Sequence, residues 1–144
     1  MKKLLIIFFF TATAVMAQKP SNVDRSNLAV QGYDVVAYFQ NQVLPGDASI
    51  TSEYQGARYQ FSSAANKELF DGNPAKYAPQ YGGWCAYAMG KNGQLVKINP
   101  EAYKILEDQL YLFYKTKKVN TLTLWNEDEG ALKQLADENW QSKN

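Results

Sequence analysis

Cys85 and Met89 stand four residues apart in "YAPQYGGWCAYAMG", Tyr77 to Gly90. They are the chain's single cysteine and, past its first seventeen residues, its single methionine. Three chemistries are open to the pair. Free cysteine is among the most buried residue types, so Cys85 can be a small core hydrophobe. A thiolate formed near exposed backbone N–H groups would support redox chemistry or conjugation, and Gly82-Gly83 just before it could supply them. In a helix the spacing would put thiolate and thioether on one face. That soft pair suits Cu(I), with a further ligand drawn from a second chain in a homodimer.

The same stretch is rich in aromatics. Tyr59, Tyr81, Trp84, Cys85 and Tyr87 form a candidate ligand-binding set, with Tyr33, Tyr38, Tyr54 and Tyr77 as further material for a pocket wall. Against it stands the usual role of tyrosine in a small domain, which is to pack its ring and turn its hydroxyl to a carbonyl or to water. Asp34 and Arg58 are expected to pair in the core and tie two sheet segments together. The chain has no histidine, which removes the usual general base and with it Ser-His-Asp and Cys-His arrangements. It lacks a phosphate-cradling glycine loop, a dinucleotide fingerprint and a CxxC pair. Hydrolase, kinase and dehydrogenase readings fail. A thiol-dependent redox protein using Cys85 is the one enzymatic alternative, and a non-enzymatic binding or sensing module is favoured over it.

The elements that must position these residues read as one α+β domain. Residues 1–17, "MKKLLIIFFFTATAVMA", have two lysines, a short apolar block and small residues before Ala17, the layout of a cleaved signal peptide. Export without stable membrane insertion follows, to a periplasmic or secreted location. A lone cysteine cannot form an internal disulfide there. Without Lys2 and Lys3 the chain carries 13 basic against 14 acidic residues, a balance that excludes an electrostatic nucleic-acid binder. Residues 18–28 read as a flexible polar arm and 29–141 as the domain. "GYDVVAYF" favours a strand. "ITSEYQGARYQFSS" and "YKILEDQLYLFY" read as hairpins turning near Gln55-Gly56-Ala57 and Glu107-Asp108. Ser63 caps a short helix over "AANKELF", and "YGGWCAYAMGKNG" is helical or, by its aromatics, a strand. Asn126 with Glu129 fits a capping pair for a C-terminal helix whose face carries Leu132, Leu135, Ala136 and Trp140.

"GYDVVAYF", "YQGARYQFSSAANKELFDGNPAKYAPQYGGWCAYAMGKNG", "INPEAYKI" and "LYLFY" together resemble the extracytoplasmic YHS-domain proteins, from about Ala29 to Trp140. The resemblance implies a small antiparallel β-sheet with short helices packed on it, a C-terminal helix, and a metal-linked or small-ligand function. Metal-binding relatives carry cysteines at positions resembling Ala37, Ser62 and Asn66, and the histidine of the family name falls at Gln60. With those ligands replaced, no tight Zn²⁺ site is expected. Some relatives carry selenocysteine at the position resembling Cys85, which implies a chemical role for the thiol.

Overall fold

The computed structural model describes residues 17–143. The leader expected over residues 1–17 lies outside them except for Ala17.

Both hairpins form where the alternation placed them. β1 (Asp47–Tyr54) pairs antiparallel with β2 (Ala57–Phe61), and β3 (Asn99–Leu106) with β4 (Gln109–Phe113). Their two-residue turns, Gln55-Gly56 and Glu107-Asp108, hold positive φ at both positions. That is the backbone twist a tight hairpin needs. The hairpins are two separate two-stranded sheets rather than one.

"GYDVVAYF" does not form the expected strand. Val30 and Gln31 turn left-handed at φ 51° and 53°, and Val35–Tyr38 close a helical turn, α1. The cause is Asp34. Its carboxylate accepts from the Val36 and Ala37 amides and starts a helix, which overrides the β preference of the valines and tyrosine. Ser63 caps α2 (Ala64–Gly72) by accepting from the Asn66 amide, as its sequence position suggested. α3 (Pro74–Tyr77) and α4 (Ala86–Asn92) follow. The tail splits into α5 (Thr121–Glu127) and α6 (Glu129–Gln141). Asn120 caps α5 by accepting from the Leu122 amide, whereas α6, the helix for which the Asn126–Glu129 pair is expected, starts after Asp128 with no side-chain cap. Asn126 and Glu129 instead both receive the Lys104 ammonium.

β4 organises the interior. Successive strand residues point to opposite faces, and here both faces are covered. Leu110 and Leu112 join Val35, Val36, Phe61 and Phe70 in one core cluster. Tyr111 and Phe113 join Met89, Trp125 and Ala136 in the other. α4 and α6 close the second cluster. They approach until a Cβ on Gly90 would lie 2.5 Å from the Leu132 carbonyl oxygen, so only glycine fits at this crossing. No helix among the described residues is long and apolar enough to cross a membrane.

Candidate functional site

Asp34 is fully buried, and no ion-pair partner reaches it among the described residues. Five donors meet its carboxylate. Oδ1 accepts from the amides of Val36 (2.9 Å) and Ala37 (3.3 Å). Oδ2 accepts from the Ser62 amide (2.8 Å), the Ser62 hydroxyl (2.6 Å) and Asn66 Nδ2 (2.7 Å). The expected Asp34–Arg58 pair is absent. Arg58 turns to the surface loop and donates to the Ser26 hydroxyl at 3.2 Å. A buried charge needs hydrogen bonds or a counter-ion, and here two helix-end amides, the Ser62 amide and hydroxyl, and the Asn66 side-chain amide serve. The positions that resemble cysteine ligands in metal-binding relatives, Ala37, Ser62 and Asn66, thus do come together in space. They gather around a carboxylate they already satisfy.

Cys85 sits at the N-cap of α4 with ψ 118°, outside the helical region. Its side chain therefore does not line up with Met89 one turn later. Cys85 packs in the cluster of Val35 and Leu112, and Met89 in that of Trp125. The thiol is 0% exposed and closes a hydrogen-bonded ring. The Tyr114 amide donates to Sγ (3.3 Å), and the Thr121 hydroxyl donates to the Tyr114 carbonyl (2.8 Å). The hydroxyl's hydrogen is spent there, so in the Sγ–Oγ1 contact of 3.4 Å the thiol donates. A Cu(I) site using both sulfurs would first have to break this ring. Among the described residues no three His, Cys, Asp or Glu side chains cluster as a metal would require.

This burial makes a measurable difference. In native protein Cys85 is expected to alkylate far more slowly than in denaturant, because a reagent reaches it only through opening of the fold. Cys85→Ala should cost roughly 1–3 kcal/mol, since the Tyr114 N–H loses its acceptor. Cys85→Ser should cost less, because a hydroxyl can rebuild the ring. A native thiol that reacts at its denatured rate would show that the ring does not hold in solution.

The remaining candidates divide. Tyr59 and Tyr81 face one cavity of about 640 Å³, together with Tyr54, Pro79 and Trp140. Trp84 and Tyr87 do not line it. Trp84 donates its indole N–H to the Pro20 carbonyl (2.9 Å), and Tyr87 packs at the boundary of both clusters, with the Lys91 ammonium 5.5 Å from its ring centre. Tyr81 is placed by a left-handed turn, with φ 55°, 60° and 82° at Tyr81, Gly82 and Gly83. Its hydroxyl donates to Asp137 Oδ1 at 2.8 Å. Burial first, and that bond to a carboxylate second, push the Tyr81 hydroxyl well above the usual tyrosine range.

Tyr59 differs. Its ring packs on Phe70 at 4.9 Å between centroids, and the residue is only 6% exposed. Burial raises its pKa well above the ordinary value, so the hydroxyl stays a donor at physiological pH. Among the described residues no protein group hydrogen-bonds that hydroxyl. Among the described residues Arg58 Nε alone is a fully buried side-chain polar atom without a partner, so the Tyr59 hydroxyl reaches solvent and offers a donor and an acceptor at the cavity wall.

The far wall comes from Gln18, Lys19 and Ser21 of the segment expected to be a flexible arm, with Ala17 at the end of the expected leader beside them, and from Trp140 near the end of α6. The sequence marks Trp140 as a packing position on a helical face. Its period-3.6 placement marked it as inward-facing, but nothing in the sequence told a cavity wall from a core contact.

No curated protein and no solved structure matches the chain. Residues 40–81, from just after α1 through both strands of the first hairpin to the left-handed turn at Tyr81, match the YHS domain. The match spans less than a third of the chain, with Ser62, Asn66, Tyr59 and Tyr81 inside it and Asp34, Cys85 and Trp140 outside it.

Proposed function

We propose that this protein is a small-ligand binding or sensing module acting outside the cytoplasm, and that its site is the cavity between Tyr59, Tyr81 and Trp140. The unpartnered Tyr59 hydroxyl on an otherwise buried ring is the observation that carries the reading. An aromatic-walled cleft with convergent polar groups, here Gln18, Gln55 and Gln80 beside the tyrosines, is a form that a small-molecule site takes. The fitting ligand is flat enough to lie against Tyr54 and Trp140, and carries a polar edge for Tyr59. The alternative of thiol redox chemistry is disfavoured by Cys85's complete burial and its hydrogen-bonded ring. The metal-linked reading is disfavoured by Ser62 and Asn66 already serving Asp34.

The test uses benzamide, phenol and benzoate, followed by tryptophan fluorescence and ligand-observed NMR. Saturable binding is expected for at least one of them. Tyr59→Phe should weaken it by about three- to tenfold, the loss of one neutral hydrogen bond. Trp140→Ala should weaken it further. Absence of saturable binding by all three, or binding indifferent to both substitutions, would reject the site. The intact mass of protein from the native fraction checks the address. Export predicts a chain that begins at Gln18 and carries no lipid, and a retained leader contradicts it.

A further inference from the structure

The segment Gln18–Asn22 has no helix or strand of its own, yet it is fastened around the rim of the Tyr59 cavity. Gln18 Nε2 donates to the Gln55 carbonyl in the β1–β2 turn. Trp84 holds the Pro20 carbonyl at 2.9 Å. Asn22 donates its amide to the Gly82 carbonyl (2.8 Å) and its Nδ2 to the Gly83 carbonyl (3.0 Å). The receiving turn is shaped for this approach. A Cβ on Gly82 would stand 2.8 Å from the Pro20 carbonyl and 2.9 Å from the Trp140 ring, at a left-handed φ of 60°. A substituted residue there would push the strap and the indole apart.

Lys19 is the strongest fastening. Its ammonium donates to the carbonyls of Trp140 (2.6 Å), Gln141 (3.1 Å) and Lys143 (2.8 Å) at the end of α6. All three lie at the negative end of the α6 dipole, where the last carbonyls lack intrahelical partners, and that of Trp140 also accepts from the Lys143 amide (3.2 Å). The same ammonium lies 5.4 Å from the centre of the Trp140 ring. Its three N–H groups are all engaged, so Lys19 itself has no hydrogen left for a ligand.

We infer that Lys19 is a positioning residue of the ligand site: by locking the strap to the end of α6 it sets the two facing walls, strap and Trp140, against Tyr59. The inference rests on the ligand-binding reading above. Its mechanism is coupling. A molecule held between the walls favours the docked strap, and by the reciprocity of linkage a loosened strap lowers affinity.

The experiment titrates benzamide into the full chain and its Lys19→Ala, Lys19→Met and Lys19→Arg variants, and follows exchange of the Trp84 indole N–H by NMR. Lys19→Ala and Lys19→Met are expected to weaken benzamide by roughly tenfold, the scale of one charge-assisted hydrogen bond. Both should speed Trp84 indole exchange while leaving the denaturant midpoint near the wild-type value. Lys19→Arg, which keeps charge and donors, should restore both readouts. Wild-type binding with unchanged affinity in Lys19→Ala overturns the positioning role and leaves the site standing. Unchanged Trp84 exchange in Lys19→Ala also overturns it. A wild-type chain that binds none of the three probes removes the site, and the role of Lys19 with it.

Discussion

Replacing Asp34 with alanine is expected to destabilise this protein by roughly 3–5 kcal/mol. The figure exceeds the worth of one charge-assisted hydrogen bond and stays below the sum of five, because bonds sharing one carboxylate are not additive. Total stability of a small domain is about 5–15 kcal/mol, so the variant sits close to unfolding at body temperature. The physical cause is specific. Alanine leaves the Ser62 amide and hydroxyl, Asn66 Nδ2 and the first amides of α1 without their acceptor, in a place water does not reach. Asp34→Asn refines the test. All five partners donate, and an asparagine turns one acceptor into a donor, so it should recover only part of the loss. Ser62→Ala removes one donor and leaves the others, and about 1–2 kcal/mol is expected. Urea denaturation of the three variants checks the order Asp34→Ala, Asp34→Asn, Ser62→Ala. Equal midpoints for wild type and Asp34→Asn would mean that the carboxylate's charge and second acceptor contribute nothing.

Trp125→Ala is expected to cost a similar amount, about 3–5 kcal/mol, through a different mechanism: a cavity. Trp125 is among the largest fully buried side chains. It packs on Tyr111 and Phe113 with ring centres 5.8 and 5.6 Å away, from the face of β4 opposite Leu110 and Leu112. Its indole N–H donates to Glu129 Oε2 at 2.9 Å, which Lys104 also contacts. Truncation therefore empties the centre of the second cluster and frees the start of α6. Trp125→Phe keeps most of the ring and should lose roughly 1–2 kcal/mol, for the missing indole bond and the smaller volume. Leu135 provides the contrast. It lies on the next helix, α6, and is 46% exposed, and its alanine variant should stay within about 0.5 kcal/mol of wild type. Thermal unfolding of the three separates them. A Trp125→Ala melting temperature near that of Leu135→Ala would contradict the second core.

Each element that could be read from the chain alone rests on short-range physics. The alternation of Leu110, Tyr111, Leu112 and Phe113 marks a strand whatever surrounds it, and Gln55-Gly56 marks a turn because Gly56 takes positive φ freely. Ser63 announces α2 because a hydroxyl accepts an amide three residues on, within one turn. Asp34 offered the same kind of signal and was outweighed by the β-prone residues after it. An acidic cap before "VVAY" carries the helix reading, and propensity summed over a few residues is the weaker guide.

Two hairpins, a capped helix, a helical tail and the YHS resemblance over residues 40–81 were thus legible in the chain, all set by neighbours within a few residues or by a motif read in order. Tertiary structure alone decided the rest. It chose which donors Asp34 meets, because those at Ser62 and Asn66 arrive from a strand end and a helix 28 and 32 residues away. It put Cys85 and Met89 in different clusters, because a single non-helical ψ at the cap rotates one side chain off the helical face. It built the cavity from Tyr59, Trp140 and the N-terminal strap, because walls from opposite ends of a chain meet only when α6 and the first hairpin have packed.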